Sequence, residues 1–166
     1  MRSYFALKMT NKTTMIKQAV VKNILFSGLI AGTLDISAAI LFLANGNAAG
    51  VLKYIASGVF GKDAFTGGDE MLAWGVLFHY LIAMSFATFY FLIYPHLPFL
   101  RQNKWINALL YGIFVWATMN LLVVPMSHIT PAAFNWISAL KNMAILVVCI
   151  GLPISLLADR FYKGQR

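Results

Sequence analysis

An all-α integral membrane protein with four transmembrane helices is the fold class this chain predicts, and three observations carry it. Four long apolar runs fill most of the sequence: Ile24–Ala44, Met71–Tyr94, Trp105–Pro125 and Asn142–Asp159. Each is close to the roughly 20 residues that cross about 30 Å of hydrocarbon. Charged residues make up only 11% and hydrophobic ones 60%, with a mean hydropathy of +0.74, whereas soluble domains carry about 25% charged residues. The basic residues, finally, sort by loop. With the amino terminus in the cytoplasm, Arg2, Lys8, Lys12, Lys17, Lys22, Arg101, Lys104, Arg160, Lys163 and Arg166 lie inside, and only Lys53, Lys62 and Lys141 lie outside. That bias follows the positive-inside rule and places both termini in the cytoplasm. Backbone groups in lipid must be satisfied within their own segment, and continuous apolar runs lack the alternation of barrel strands, so the spans are helices.

The domain plan follows directly. Residues 1–23 form a basic cytoplasmic segment, 24–159 the transmembrane domain and 160–166 a basic cytoplasmic tail. The net charge of +8 is accounted for by topology, and no nucleic-acid partner is implied. The basic leader suits contact with anionic lipid headgroups. Its apolar run is too long for a signal-peptide core and contains Asp35, so it reads as a retained span. The single cysteine, Cys149, falls in the fourth span and excludes an intrachain disulfide.

Along the first span, Gly28, Ala31, Gly32, Asp35, Ala38 and Ala39 recur at helical spacing and form one small-residue face suited to close helix contact. Leu29, Ile36, Ile40 and Leu43 suit lipid. The stretch from Asn45 to Glu70 is long for a structureless loop. Ala48, Leu52, Ile55, Ala56 and Val59 recur in it at helical spacing, predicting a short interfacial helix. A turn with Gly61, Gly67, Gly68, Asp63, Asp69 and Glu70 follows and starts the second span at an acidic end. Tyr94-Pro95-His96-Leu97-Pro98 makes the cytoplasmic turn. Pro125 ends the third span, and Met126–Leu140 is expected to return along the outer surface with Trp136 as an anchor.

The polar residues inside the spans carry the functional reading. At about 1.5 Å per residue, Asp35 lies about 14 Å below the outer end of span one and His79 about 12 Å below that of span two. Asn120 sits about 8 Å below Pro125. Intramembrane ionisable residues are costly and mark functional sites by default. Asp35 and His79, assisted by Asn120, Thr33 and Thr118, are therefore the candidate proton or solute pocket, with Glu70 and His128 at its outer rim. Histidine changes charge between pH 5 and 8, which suits proton handling. The structural alternative is that these groups serve as interhelical hydrogen-bond glue. Gly28, Gly32, Gly75 and Gly112 are the expected packing positions. No H-E-x-x-H, C-x-x-C or EF-hand spacing is present, and Ser37, Ser85, Ser127 and Ser155 lack a nucleophile context. No catalysis, metal or cofactor is implied.

Gly28-Leu29-Ile30-Ala31-Gly32, Phe78-His79, Tyr94-Pro95 and the Pro125-Met126-Ser127-His128-Ile129-Thr130-Pro131 segment together resemble the YagU-like family of small bacterial inner-membrane proteins of unknown function. The resemblance spans roughly Ile24 to Arg160. It departs in a shorter first outer loop and in Ala132, where a second proline would match better. It implies an inner-membrane location and offers no catalytic residues. The expectation is an inner-membrane protein that binds or conducts a proton or small solute, with a homo-oligomer completing so small a bundle. The alternative is a non-transporting accessory protein with structural polar residues. A reporter active only outside the cytoplasm is expected to work when fused after Gly61 and to fail after His96 or at the carboxyl terminus. The reverse pattern would overturn the assigned topology.

Overall fold

The computed structural model describes residues 2–129 and 135–165, with side chains for Met15 and from Lys17 onward within those ranges. Thr130 and Pro131, which end the proline-containing segment noted above, and Ala132 beyond it lie outside the described residues. Among the described residues the chain is helical with no strand. Four helices are long and apolar enough to cross a membrane, Lys17–Leu43, Asp69–Ile93, Lys104–Met126 and Trp136–Lys163. Helix α1 runs Arg2–Ala38 and continues through a π-helical turn at Ala39–Leu43. Helix α2 (Ala48–Phe60) and the single turn α3 (Asp63–Thr66) follow, then the second span α4 (Asp69–Ile93). After a 3₁₀ turn at Pro98–Arg101, α5 comprises Lys104–Thr118, a π turn at Met119–Val123 and a last turn at Val124–Met126. Helix α6 comprises Trp136–Leu146, a π turn at Val147–Gly151 and Leu152–Lys163. Four consecutive crossings bring both termini to one end of the bundle, the terminal end; the opposite end is the distal end.

The fourth span differs from expectation. Its helix begins at Trp136, so Trp136–Leu140 belongs to the span and not to a surface return. Asn135 caps it by accepting a hydrogen bond from the Ser138 N–H at 3.0 Å. The apolar run starts only at Asn142 because Lys141 interrupts it, and helix formation does not depend on that interruption. The α2 helix is present as expected. Asn47 caps it, accepting from the Gly50 N–H at 2.8 Å, and the tight turn before it uses Gly46 at φ 88°, a conformation glycine adopts at no steric cost.

Glycines set the helix pairings. Gly28 and Gly32 seat α1 against α4: a methyl on Gly32 would meet Ala83 and the Tyr80 ring at 3.1 Å, and one on Gly28 would meet Met84. Gly75 receives not another span but α2, lying against the Leu52 backbone. Gly112 lies against the Val147 backbone, and Gly151, which the sequence reading passed over, lies against Ala108 and Gly112. Helix α6 is the hub of the bundle, packing on both α1 and α5. By contrast, α4 and α5 approach through aromatic side chains, with Tyr90 and Tyr111 at 4.5 Å and Phe89 stacked on Phe114 at 5.4 Å.

The core fills the terminal half. Tyr90, Phe91, Tyr94, Tyr111, Val115, Ile150 and Ile154 are buried there, and Tyr162 stacks on Tyr94 at 4.8 Å. Residues such as Leu25, Leu34, Leu41, Leu92 and Leu110 are exposed on the bundle surface, as lipid-facing positions must be. Gly112→Ala is expected to lower stability by about 1–3 kcal/mol through overpacking at the backbone contact. Gly58→Ala, whose methyl would meet only Ile129 and Ser127 at 3.8 Å, is expected to be neutral or stabilising. Thermal unfolding in detergent checks the pair; equal effects would mean that α5 and α6 can part without loss.

Candidate functional site

At the distal end the spans diverge around a cavity of about 1110 Å³. It is larger than the roughly 300–1,000 Å³ usual for ligand pockets. All four spans and α2 contribute to its wall. Helix α2 presents Asn47, Gly50, Val51, Tyr54, Ile55 and Gly58, a single helical face. The connection after α5 joins it: the His128 N–H donates to the Gly58 carbonyl at 3.0 Å, which ties Ser127 and Ile129 to α2. Lys53, on another face of α2, donates to the carbonyl of Gly67 at 2.7 Å and that of Phe65 at 3.3 Å, anchoring the glycine-rich turn.

Of the residues expected to form the site, Asp35, His79 and Asn120 line this one cavity. Asp35 is half-buried on α1, and His79 on α4 is near enough for their charges to interact. The two make no ion pair. His79 Nε2 instead donates to the Gly32 carbonyl at 2.8 Å, one turn from Asp35. Because the partner is a carbonyl, this nitrogen is the one that carries a hydrogen. Asp35 itself accepts no hydrogen bond and makes no ion pair among the described residues. Asn120 opens onto the cavity from the π turn of α5, with its Nδ2 donating to the Trp116 carbonyl at 2.8 Å.

The remaining candidates lie elsewhere. Thr33 shares a hydrogen bond with the Tyr80 hydroxyl at 2.9 Å, a second tie between α1 and α4 outside the cavity. Thr118 donates back to the Phe114 carbonyl at 2.9 Å and is not part of the wall. Its hydroxyl proton is thus spent on its own helix. Glu70 is exposed and caps its own turn, accepting from the Gly68 N–H at 2.8 Å. His128 is exposed beside Gly61. Neither lines the cavity. Ile36 and Leu43, expected to face lipid, are in its wall. No group of residues suited to hold a metal ion occurs among the described residues.

Sequence reading missed two features. The first is the polar rim, where Asn47, Asn135, Asn142 and Ser138 line the distal part of the cavity. The signal was Asn placed just ahead of α2 and α6. The second is Asp159, a buried carboxylate at the terminal end that was read only as a span boundary. It accepts from the Tyr94 hydroxyl at 2.8 Å and pairs with Lys163 at 2.9 Å. The four-residue spacing of Asp159 and Lys163 on one helix was the available signal. Nearby, buried Asn107 donates to the Leu100 carbonyl at 2.6 Å and the Ser155 hydroxyl to the Lys104 carbonyl at 2.8 Å. These bonds hold the turn between α4 and α5 to the bundle.

Comparison of the chain with known protein families, characterised proteins and solved structures yields no match. The site therefore has to be read from its own chemistry: a large, mainly apolar cavity with one carboxylate and one imidazole in its wall and amides at its rim. Tyr94→Phe is expected to cost about 1–3 kcal/mol, because it leaves a buried carboxylate short of a donor. A double-mutant cycle of Tyr94→Phe with Asp159→Asn, read by thermal unfolding, is expected to be non-additive; simple additivity would show that the bond contributes nothing.

Proposed function

We propose that this protein binds a small solute in the distal cavity, with Asp35 and His79 as the protonatable element of the site. The supporting observation is that both residues, from different spans, meet in the wall of one cavity at membrane depth. A carboxylate is costly there, and a cavity this large is not a packing defect of a small bundle. The aromatic layer of Tyr90, Tyr111 and Phe91 fills the terminal half. Binding is therefore favoured over an open proton pore, and transport would require this layer to part or a second copy to complete a path. The charge map supports a cytoplasmic terminal end and a cavity opening outward. The resemblance to YagU-like proteins supports a bacterial inner membrane.

One observation favours the accessory reading. The bond from His79 to the Gly32 carbonyl joins α1 to α4 whether or not a ligand is present, so His79 has a structural use of its own. Filling the cavity separates the two readings. Ala139 lines it near the rim of α6, and Ala139→Trp is expected to abolish saturable binding of an apolar fluorophore while leaving thermal unfolding unchanged. Proteoliposomes of wild type without added solute are expected to leak protons no faster than empty liposomes. Unaltered fluorophore binding in Ala139→Trp would sink the cavity reading. Proton flux above background, lost in Asp35→Asn and His79→Ala, would replace solute binding by conduction.

A further inference from the structure

We infer that the solute is an amphipathic organic cation, whose single positive charge meets Asp35 and whose apolar body fills the cavity. This rests on the reading that the cavity binds a solute, and it goes further by fixing the ligand's charge and shape. Among the described residues the wall contains no lysine or arginine, and Asp35 is its only acidic residue. Lys53, on the helix that borders the cavity, spends its ammonium on the Gly67 and Phe65 carbonyls. An anionic ligand would thus meet a carboxylate with no fixed cation to offset it.

Several other polar groups of the wall already make a bond within the chain. Asn47 and Asn135 cap helices, Asn120 bonds the Trp116 carbonyl, and Ser127 donates to the Val124 carbonyl while accepting from the Ile129 N–H. Asp35, the one carboxylate of the wall among the described residues, has neither a hydrogen bond nor an ion pair, and the indole N–H of Trp116 is a buried donor without a partner. A carboxylate in apolar surroundings stays ionised only beside a positive charge. His79 lies near enough to interact with Asp35 but makes its hydrogen bond to the Gly32 carbonyl and none to Asp35. Aromatic rings from Tyr54, Phe78, Phe86 and Trp116 share the wall. Ring faces attract ammonium groups, and by about 2 kcal/mol or more where water is excluded. At about 1.5 Å per residue, Asp35 lies about 12 Å below the end of α1 at Leu43, which leaves room for an alkyl or aryl body between the charge and the amide rim.

The test uses three probes with one apolar body and three charges: octyltrimethylammonium, 1-octanol and octanoate. They are titrated calorimetrically into the full chain in nanodiscs of neutral lipid, with empty nanodiscs as the blank. Wild type is expected to bind the ammonium at least about ten-fold tighter than octanol, a difference of about 1.4 kcal/mol, and octanoate weakest. In Asp35→Asn the ammonium is expected to fall to the affinity of octanol, with octanol unchanged. Equal affinities for ammonium and octanol in wild type, or tighter octanoate, would overturn the cation inference and leave solute binding standing. Absence of binding by all three would overturn both. Should Asp35→Asn not fold, carbodiimide labelling of Asp35 in wild type, located by mass spectrometry, decides: protection by octyltrimethylammonium and not by octanol is expected, and equal labelling with either probe overturns the assignment.

Discussion

Where α5 meets α6, the backbones come so close at Gly112 and Gly151 that neither position has room for a methyl group, and α1 meets α4 at Gly28 and Gly32 through close contact with the side chains of Met84, Ala83 and Tyr80. Lipid tails are as apolar as leucine, so nothing drives these helices together by excluding water. Close packing must do it, and close packing is short-ranged. Each pair is consequently clamped where its glycines lie. The pairs join one another through α6 and, in the terminal half, through a layer of tyrosine and phenylalanine. At the distal end the spans line the cavity.

Helix α2 owes its position to the same constraint. Gly75 would serve a span-to-span contact equally well, but the Leu52 backbone occupies it. That contact, with the hydrogen bond from the His128 N–H to the Gly58 carbonyl, brings α2 over the diverging spans. The apolar face that would otherwise lie flat in the interface becomes part of the cavity wall. The π-helical turns of α1 and α5 occur at this level as well, and both contribute residues to the wall. Such turns are frequent at functional sites.

The bundle contains two acidic side chains away from its loops and treats them oppositely. Asp159 is given a tyrosine hydroxyl and a lysine ammonium, which meets the usual requirement for a buried charge. Its role is to lock the terminal ends of α4 and α6. Asp35 faces a cavity with an imidazole nearby and no direct partner among the described residues. The contrast separates a carboxylate whose bonds are made within the chain from one left open to the cavity. It also explains why polarity alone misled for Thr33 and Thr118. Their hydroxyls are satisfied by Tyr80 and by the Phe114 carbonyl, and depth in a span says nothing about whether a donor is already spent.

The number of spans, the α2 helix and the packing role of Gly28, Gly32 and Gly112 were determined by the sequence itself, because hydrocarbon thickness, helical periodicity and residue size act locally. The equal depth of Asp35 and His79 was legible for the same reason: rise per residue is constant once the span ends are known. The early start of α6 was not legible, since Lys141 breaks the apolar run without breaking the helix. Nor were the rim amides or Asp159, whose roles depend on which helix lies opposite. Tertiary structure alone decided that Ile36 and Leu43 face the cavity instead of lipid, that Gly75 accepts α2, and that Asp35, His79 and Asn120 share one wall. Depth is a property of a single helix, whereas azimuth and neighbour are fixed only when helices pack against one another.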